Sequence, residues 1–134
     1  MLYQNKIDIY NTNNYMYIYN TKFMNISKEI TYYDNKTLGF TYNLYVKEHK
    51  MSYINIIVNI NEKSSILTDF TSIKPNKGFG SKVLNYVIND MKNEFVNKIT
   101  LDDMSTAYRE KHNIYIKFGF TYLYEYGPEM VLFL

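Results

Sequence analysis

Residues 66–84 read Ile66-Leu67-Thr68-Asp69-Phe70-Thr71-Ser72-Ile73-Lys74-Pro75-Asn76-Lys77-Gly78-Phe79-Gly80-Ser81-Lys82-Val83-Leu84, and they change period partway along. Over 66–73, β-branched and aromatic residues dominate, as in a strand. From Gly80 onward the apolar residues Val83, Leu84, Val87, Ile88, Met91 and Phe95 recur at helical spacing and form one stripe. The stretch therefore reads as strand, short glycine turn, amphipathic helix. The first N–H groups of a helix have no partner inside it, and with the helix dipole they make an anion site. Glycines let the backbone approach a phosphate closely, and Lys77 and Lys82 add positive charge. Two glycines also serve simply to turn a chain tightly. Neither Gly-x-x-x-x-Gly-Lys-Ser/Thr nor Gly-x-Gly-x-x-Gly is present.

Upstream of this stretch the chain reads as strands joined by short polar turns. Residues 15–20 are aromatic and β-branched, and 26–33 end before the turn Asp34-Asn35-Lys36. In 37–46, Leu38, Phe40, Tyr42 and Leu44 alternate strictly; in 52–61, Ile54, Ile56, Val58 and Ile60 share one face. An antiparallel meander is the expected arrangement. Downstream, the pattern predicts a strand over 98–101, a second helix over 105–118, and a final strand pair over 120–126 and 130–134. Gly119 stands where a helix end favours positive φ, with Phe120 as its apolar cap. The expectation is one domain over 1–134, with a variable amino-terminal part (1–36) and a core (37–134). Its fold class is α+β, a mixed and mainly antiparallel sheet flanked by helices.

The segment Ile73-Lys74-Pro75, followed by Gly78-Phe79-Gly80-Ser81-Lys82-Val83-Leu84, resembles the pyrophosphate signature of the GNAT N-acetyltransferase superfamily. Further along, Ile114-Tyr115-Ile116-Lys117-Phe118-Gly119-Phe120 resembles that family's second signature, Leu-Tyr-x-Lys-x-Gly-Phe. The resemblance covers residues 37–134. Pro75 occupies the position where the family carries Arg or Gln. The family's two amino-terminal helices have no counterpart in the pattern, so they are expected to be reduced or missing.

The resemblance implies acetyl-CoA as cofactor and direct attack of a primary amine on its thioester in a ternary complex. It implies that Thr71, Ser72 and Ile73 present strand backbone to the pantetheine arm. Asn76, Lys77, Gly78, Phe79, Gly80 and Ser81 would surround the pyrophosphate. Tyr115 matches the tyrosine that protonates the departing thiolate; it is also one of 16 tyrosines and would equally suit helix packing. Asp103 matches a position where some members place their base, and Asp69 is a second candidate. A carboxylate just ahead of a helix is favoured by the dipole alone, so Asp103 has a structural reading too. His112 and His49 read as surface residues.

Composition narrows the classes. The chain has 134 residues, no cysteine, two histidines and a formal charge of +2. Disulfides and thiolate nucleophiles are excluded, and no metal site is expected. The charge is too mild and too scattered to point to nucleic acid or a membrane surface. Asn5, Asn11, Asn13 and Asn14 interrupt the region where a signal peptide needs its apolar run, so a cytoplasmic protein is expected. The acceptor would be an amine on a protein or a small molecule. The alternative is a non-catalytic CoA-binding or protein-interaction module, for which the aromatic strand 15–20 would suit a homodimer interface. Acetyl transfer to any acceptor separates the two.

Overall fold

Strict alternation in Leu38, Phe40, Tyr42 and Leu44 gives a strand with one fully buried face. The computed structural model describes residues 24–73 and 78–134, and residues 15–20 by their backbone. Its first five strands, β1 (Tyr15–Asn20), β2 (Met24–Tyr33), β3 (Thr37–Val46), β4 (His49–Asn59) and β5 (Ser64–Ser72), pair successively as an antiparallel meander. Helix α1 (Phe79–Asn93) then crosses over to β6 (Lys98–Asp102), which runs parallel to β5. A short helix α2 (Ile114–Lys117) precedes β7 (Thr121–Tyr122) and β8 (Glu129–Phe133). All strands form one mixed sheet in the order β1-β2-β3-β4-β5-β6-β8-β7. The described part of the amino-terminal segment is thus sheet, as the pattern predicts.

The core lies between this sheet and α1. Ile54, Ile56 and Val58 of β4 meet Val83, Leu84, Val87 and Met91 of the helix, all fully buried. One charged cluster is sealed into the same layer. Lys28, only 1% exposed, places its Nζ 2.7 Å from Asp90 and 3.4 Å from Glu94, both on α1. Its ammonium also lies 4.3 Å from the Phe40 ring centroid, and the Tyr42 hydroxyl donates to Asp90.

The second helix is much shorter than the pattern predicts. Residues 105–113 form turns, and only Ile114–Lys117 is helical. The physical reason is local: Ser105-Thr106-Ala107-Tyr108-Arg109-Glu110 offers no apolar stripe, and Arg109 takes φ 61°. Asn113 starts the helix, its side-chain oxygen accepting from Tyr115 N at 2.8 Å. The other end behaves as expected. Gly119 has φ 97°, Phe120 N donates to Tyr115 O at 3.0 Å, and Gly119 N donates to Ile116 O at 3.0 Å.

Candidate active site in the split between two strands

β5 and β6 pair only at Ser64–Lys98, Ser65–Ile99 and Ile66–Thr100. Beyond Ile66 they separate, and a bulge in β5 marks the place. Ile56 faces Leu67 while Asn55 faces Asp69, so Thr68 is the extra residue. A bulge bends a strand and shifts its alternation. Ser65 and Leu67 point towards the core before it; after it, Phe70 and Ser72 take that face, and Asp69 is exposed on the other. The irregular spacing of Leu67 and Phe70 is the signal that sequence reading could have used.

The bulge also decides which backbone groups are free. Ile73 N donates to Met51 O at 2.8 Å on β4. Since N–H and C=O groups alternate sides along a strand, Thr71 and Ile73 spend theirs on β4. Phe70 and Ser72 turn theirs into the split, where β6 has already departed. Of the three strand residues expected to offer backbone, Ser72 alone does so, and Phe70 joins it.

A cavity of about 400 Å³ opens at the split and reaches the start of α1. Ser72, Gly78, Gly80, Ser81 and Tyr115 line it, together with Phe70, Ser105, His112, Ile114 and Lys117, which the sequence reading did not select. His112 was expected on the surface; it is exposed and 3.0 Å from Glu110, yet it also borders this opening. The two glycines differ in role. Gly78 caps α1 at φ 81°, a left-handed conformation. Gly80 is needed for space: a Cβ there would lie 3.2 Å from Phe70 Cζ and 3.8 Å from Ile114 Cδ1. Phe79 and Ile73 face a different, largely apolar cavity beside Val46 and Met51. Asn76 and Lys77 lie outside the described residues.

Tyr115 stands at the centre of the split. It is 8% exposed, edge-on to Phe70 at 6.0 Å and to Phe120 at 5.9 Å. Its hydroxyl has no hydrogen-bond partner among the described residues. Burial, then the carboxylates of Asp103 and Asp69, push its pKa up to about 12. The phenol lines both the first cavity and a second of about 200 Å³ on the far side, shared with Asp69, Asp102 and Met104.

Asp103 lines none of these cavities. Only 2% exposed, it accepts from Ser105 N and Oγ at 3.0 and 2.5 Å, Asn113 Nδ2 at 2.7 Å and Tyr122 Oη at 2.6 Å. Burial alone would raise its pKa, but these donors outweigh it and hold the carboxyl below its ordinary value. Asp103 thereby fixes Asn113, which caps the helix carrying Tyr115. Asp69 is less encumbered, accepting one hydrogen bond, from Tyr53 Oη at 3.0 Å.

No protein-family model matches the sequence, and no curated protein matches it. Solved structures do match. The ribosomal-protein-S18-alanine N-acetyltransferase from Escherichia coli superposes with a TM-score of 0.57 at 17% identity, over 75% of this chain and 71% of that one. This is the GNAT fold. The GNAT-fold PaiA N-acetyltransferase from Thermoplasma acidophilum, in complex with coenzyme A, gives 0.54 at 16% identity, over 72% of this chain and 58% of that one. An aminoglycoside 6'-acetyltransferase of type Ii gives 0.58 at 11% identity, over 75% and 70%. Among the described residues, no helix of this GNAT-fold chain is long and apolar enough to cross a membrane.

Proposed function

We propose that the protein is an N-acetyltransferase that moves the acetyl group of acetyl-CoA to a primary amine by direct attack in a ternary complex. The observation that carries this reading is the split itself. Free strand backbone, a helix N-terminus and a buried, unpartnered phenol all border one opening. A neighbour of the same fold is in complex with coenzyme A, and others are named for acetylating proteins and aminoglycosides, which supports the same ligand class here.

Acetyl-CoA would supply an acyl group activated as a thioester. The N–H and C=O groups of Phe70 and Ser72 would hold its extended arm, and one of these N–H groups can steady negative charge developing on the carbonyl oxygen. The unpaired N–H groups at the start of α1, with Ser81, would hold the pyrophosphate. An alkylamine is mostly ammonium at neutral pH and must lose a proton before it attacks. Asp69 is the better placed acceptor of that proton, since Asp103 is committed to positioning Asn113 and, through it, Tyr115. As the carbon–sulfur bond breaks, the Tyr115 phenol donates a hydrogen bond to the sulfur. With its pKa near 12 it keeps that proton across the physiological range.

Tyr115→Phe tests the assignment, because it preserves the ring and its packing. kcat should fall by about 10- to 1000-fold, with acetyl-CoA affinity by calorimetry nearly unchanged, because the bond forms only as the thiolate departs. In the wild type, kcat should show no alkaline loss up to pH 10, well below the phenol's pKa of about 12. An unchanged kcat in the folded variant makes Tyr115 a packing residue. Loss of affinity and rate together makes it a cofactor-binding one.

A further inference from the structure

Helix α2, which carries Tyr115, is a single turn, Ile114–Lys117. One turn does not sustain itself, because fixing it costs more than its few hydrogen bonds return. The Tyr115 ring packs edge-on against Phe70 and Phe120, and its backbone is held from outside the helix. Asn113, 1% exposed, accepts through Oδ1 from Tyr115 N at 2.8 Å and Ile116 N at 3.4 Å. Where Asn113 stands therefore decides where the phenol stands.

The loop that sets Asn113 is a series of turns closed at both ends on one carboxylate. Asp103 accepts from Ser105 at its start and from Asn113 at its end. The Tyr122 hydroxyl ties that carboxylate to β7. It donates to Asp103 Oδ2 at 2.6 Å and accepts at 2.7 Å from Arg109 N, in the middle of the loop. Arg109 holds φ 61°, a left-handed conformation that is costly for a residue with a Cβ. Its side chain offsets that cost. The guanidinium lies 4.2 Å from the Tyr122 ring centroid, and Nη2 donates to Tyr124 O and Gly127 O, both at 3.0 Å. Start, middle and end of the loop thus meet at one phenol. Tyr122 itself pairs with Met130 in the sheet. Neither Tyr122 nor Arg109 borders the opening at the split or the smaller cavity behind it.

We propose that Tyr122 and Arg109 are positioning residues for Tyr115. The Tyr122 hydroxyl, acting through Asp103 and Asn113, refers the Tyr115 phenol to the sheet, where a longer helix would otherwise have held it. A reacting group needs a rigid reference of this kind to stay within a fraction of an ångström of its working place. The catalytic part of the proposal rests on the transferase reading. The coupling between the two tyrosines can be read without turnover.

Tyr122→Phe tests it, since the ring and its contact with Arg109 remain and only the hydroxyl goes. By NMR, the amides of Tyr115 and Ile116, which Asn113 caps, should exchange about 3- to 30-fold faster than in the wild type. Those of α1 should not change, and an isotope label at Cζ of Tyr115 should shift. With n-butylamine as acceptor, kcat should fall about 3- to 100-fold. KM for acetyl-CoA should stay nearly unchanged, because the groups proposed to hold the cofactor lie on β5 and α1. Arg109→Gly accommodates φ 61° and keeps the backbone N–H; it should act in the same direction, more weakly, and carries the test if Tyr122→Phe fails to fold. Tyr115 and Ile116 amides that exchange as in the wild type, or that speed up only in step with those of α1, overturn the proposal, since Tyr122 then serves stability alone. So does an unchanged kcat in a variant whose Tyr115 signals have moved. If the wild type binds no acetyl-CoA by calorimetry while the Tyr115 signals still respond to Tyr122→Phe, the coupling stands and the transferase reading falls.

Discussion

Two groups of carboxylates occupy opposite faces of the same sheet and are treated in opposite ways. On the core face, Asp90 and Glu94 close around Lys28, which is also covered by the Phe40 and Tyr42 rings. On the other face, Asp69, Asp102 and Glu129 border open space, and the last two confront each other without a cation. The first arrangement answers the cost of burying charge by pairing it internally. On the second face the carboxylates are exposed, so desolvation costs little and only the like-charge opposition of Asp102 and Glu129 across the ladder remains.

The contrast breaks most visibly at Lys28. Lys28→Ala strands two carboxylates in the core and should cost about 3–5 kcal/mol of stability, measured by urea unfolding. A loss below about 1 kcal/mol, the range of an exposed pair, would mean that water reaches the cluster and that the two faces are not so different. A smaller effect is expected at Gly80, on the border between core and split. Gly80→Val puts a branched side chain 3.2 Å from the Phe70 ring and should cost about 1–3 kcal/mol by overpacking. It should also push Phe70 into the split and abolish acetyl-CoA binding by calorimetry. A folded variant that binds as tightly as the wild type would move the cofactor elsewhere.

Much of this was legible in the sequence, and the exceptions share a cause. The meander, the α1 stripe and the Gly119 cap follow from local periodicity and from one backbone requirement, so the residues announce them. Thr71 and Ile73 were expected to offer free backbone, and Phe70 was passed over, because the bulge at Thr68 reverses the alternation of everything after it. A bulge is set by pairing with β4, not by β5 alone. Asp103 invited assignment as a base by its position. Its four hydrogen-bond donors come from Ser105, Asn113 and Tyr122, and only the folded loop gathers them. The helix expected over 105–118 shrank to one turn because nothing in 105–113 supplies an apolar face. Asp102 and Glu129 are far apart in the chain, and the β6–β8 register alone makes them neighbours.

The central claim is that the open edge of β5 beyond the bulge receives the cofactor. Residue-resolved amide hydrogen exchange by NMR, with and without saturating acetyl-CoA, reads that edge directly. The account predicts that the amides of Phe70 and Ser72 exchange fast in the free protein and become protected in the complex. Those of Thr71 and Ile73, already bonded to β4, should change far less. Protection gained at Thr71 and Ile73 instead, or none at Phe70 and Ser72 once binding is saturated, would contradict it.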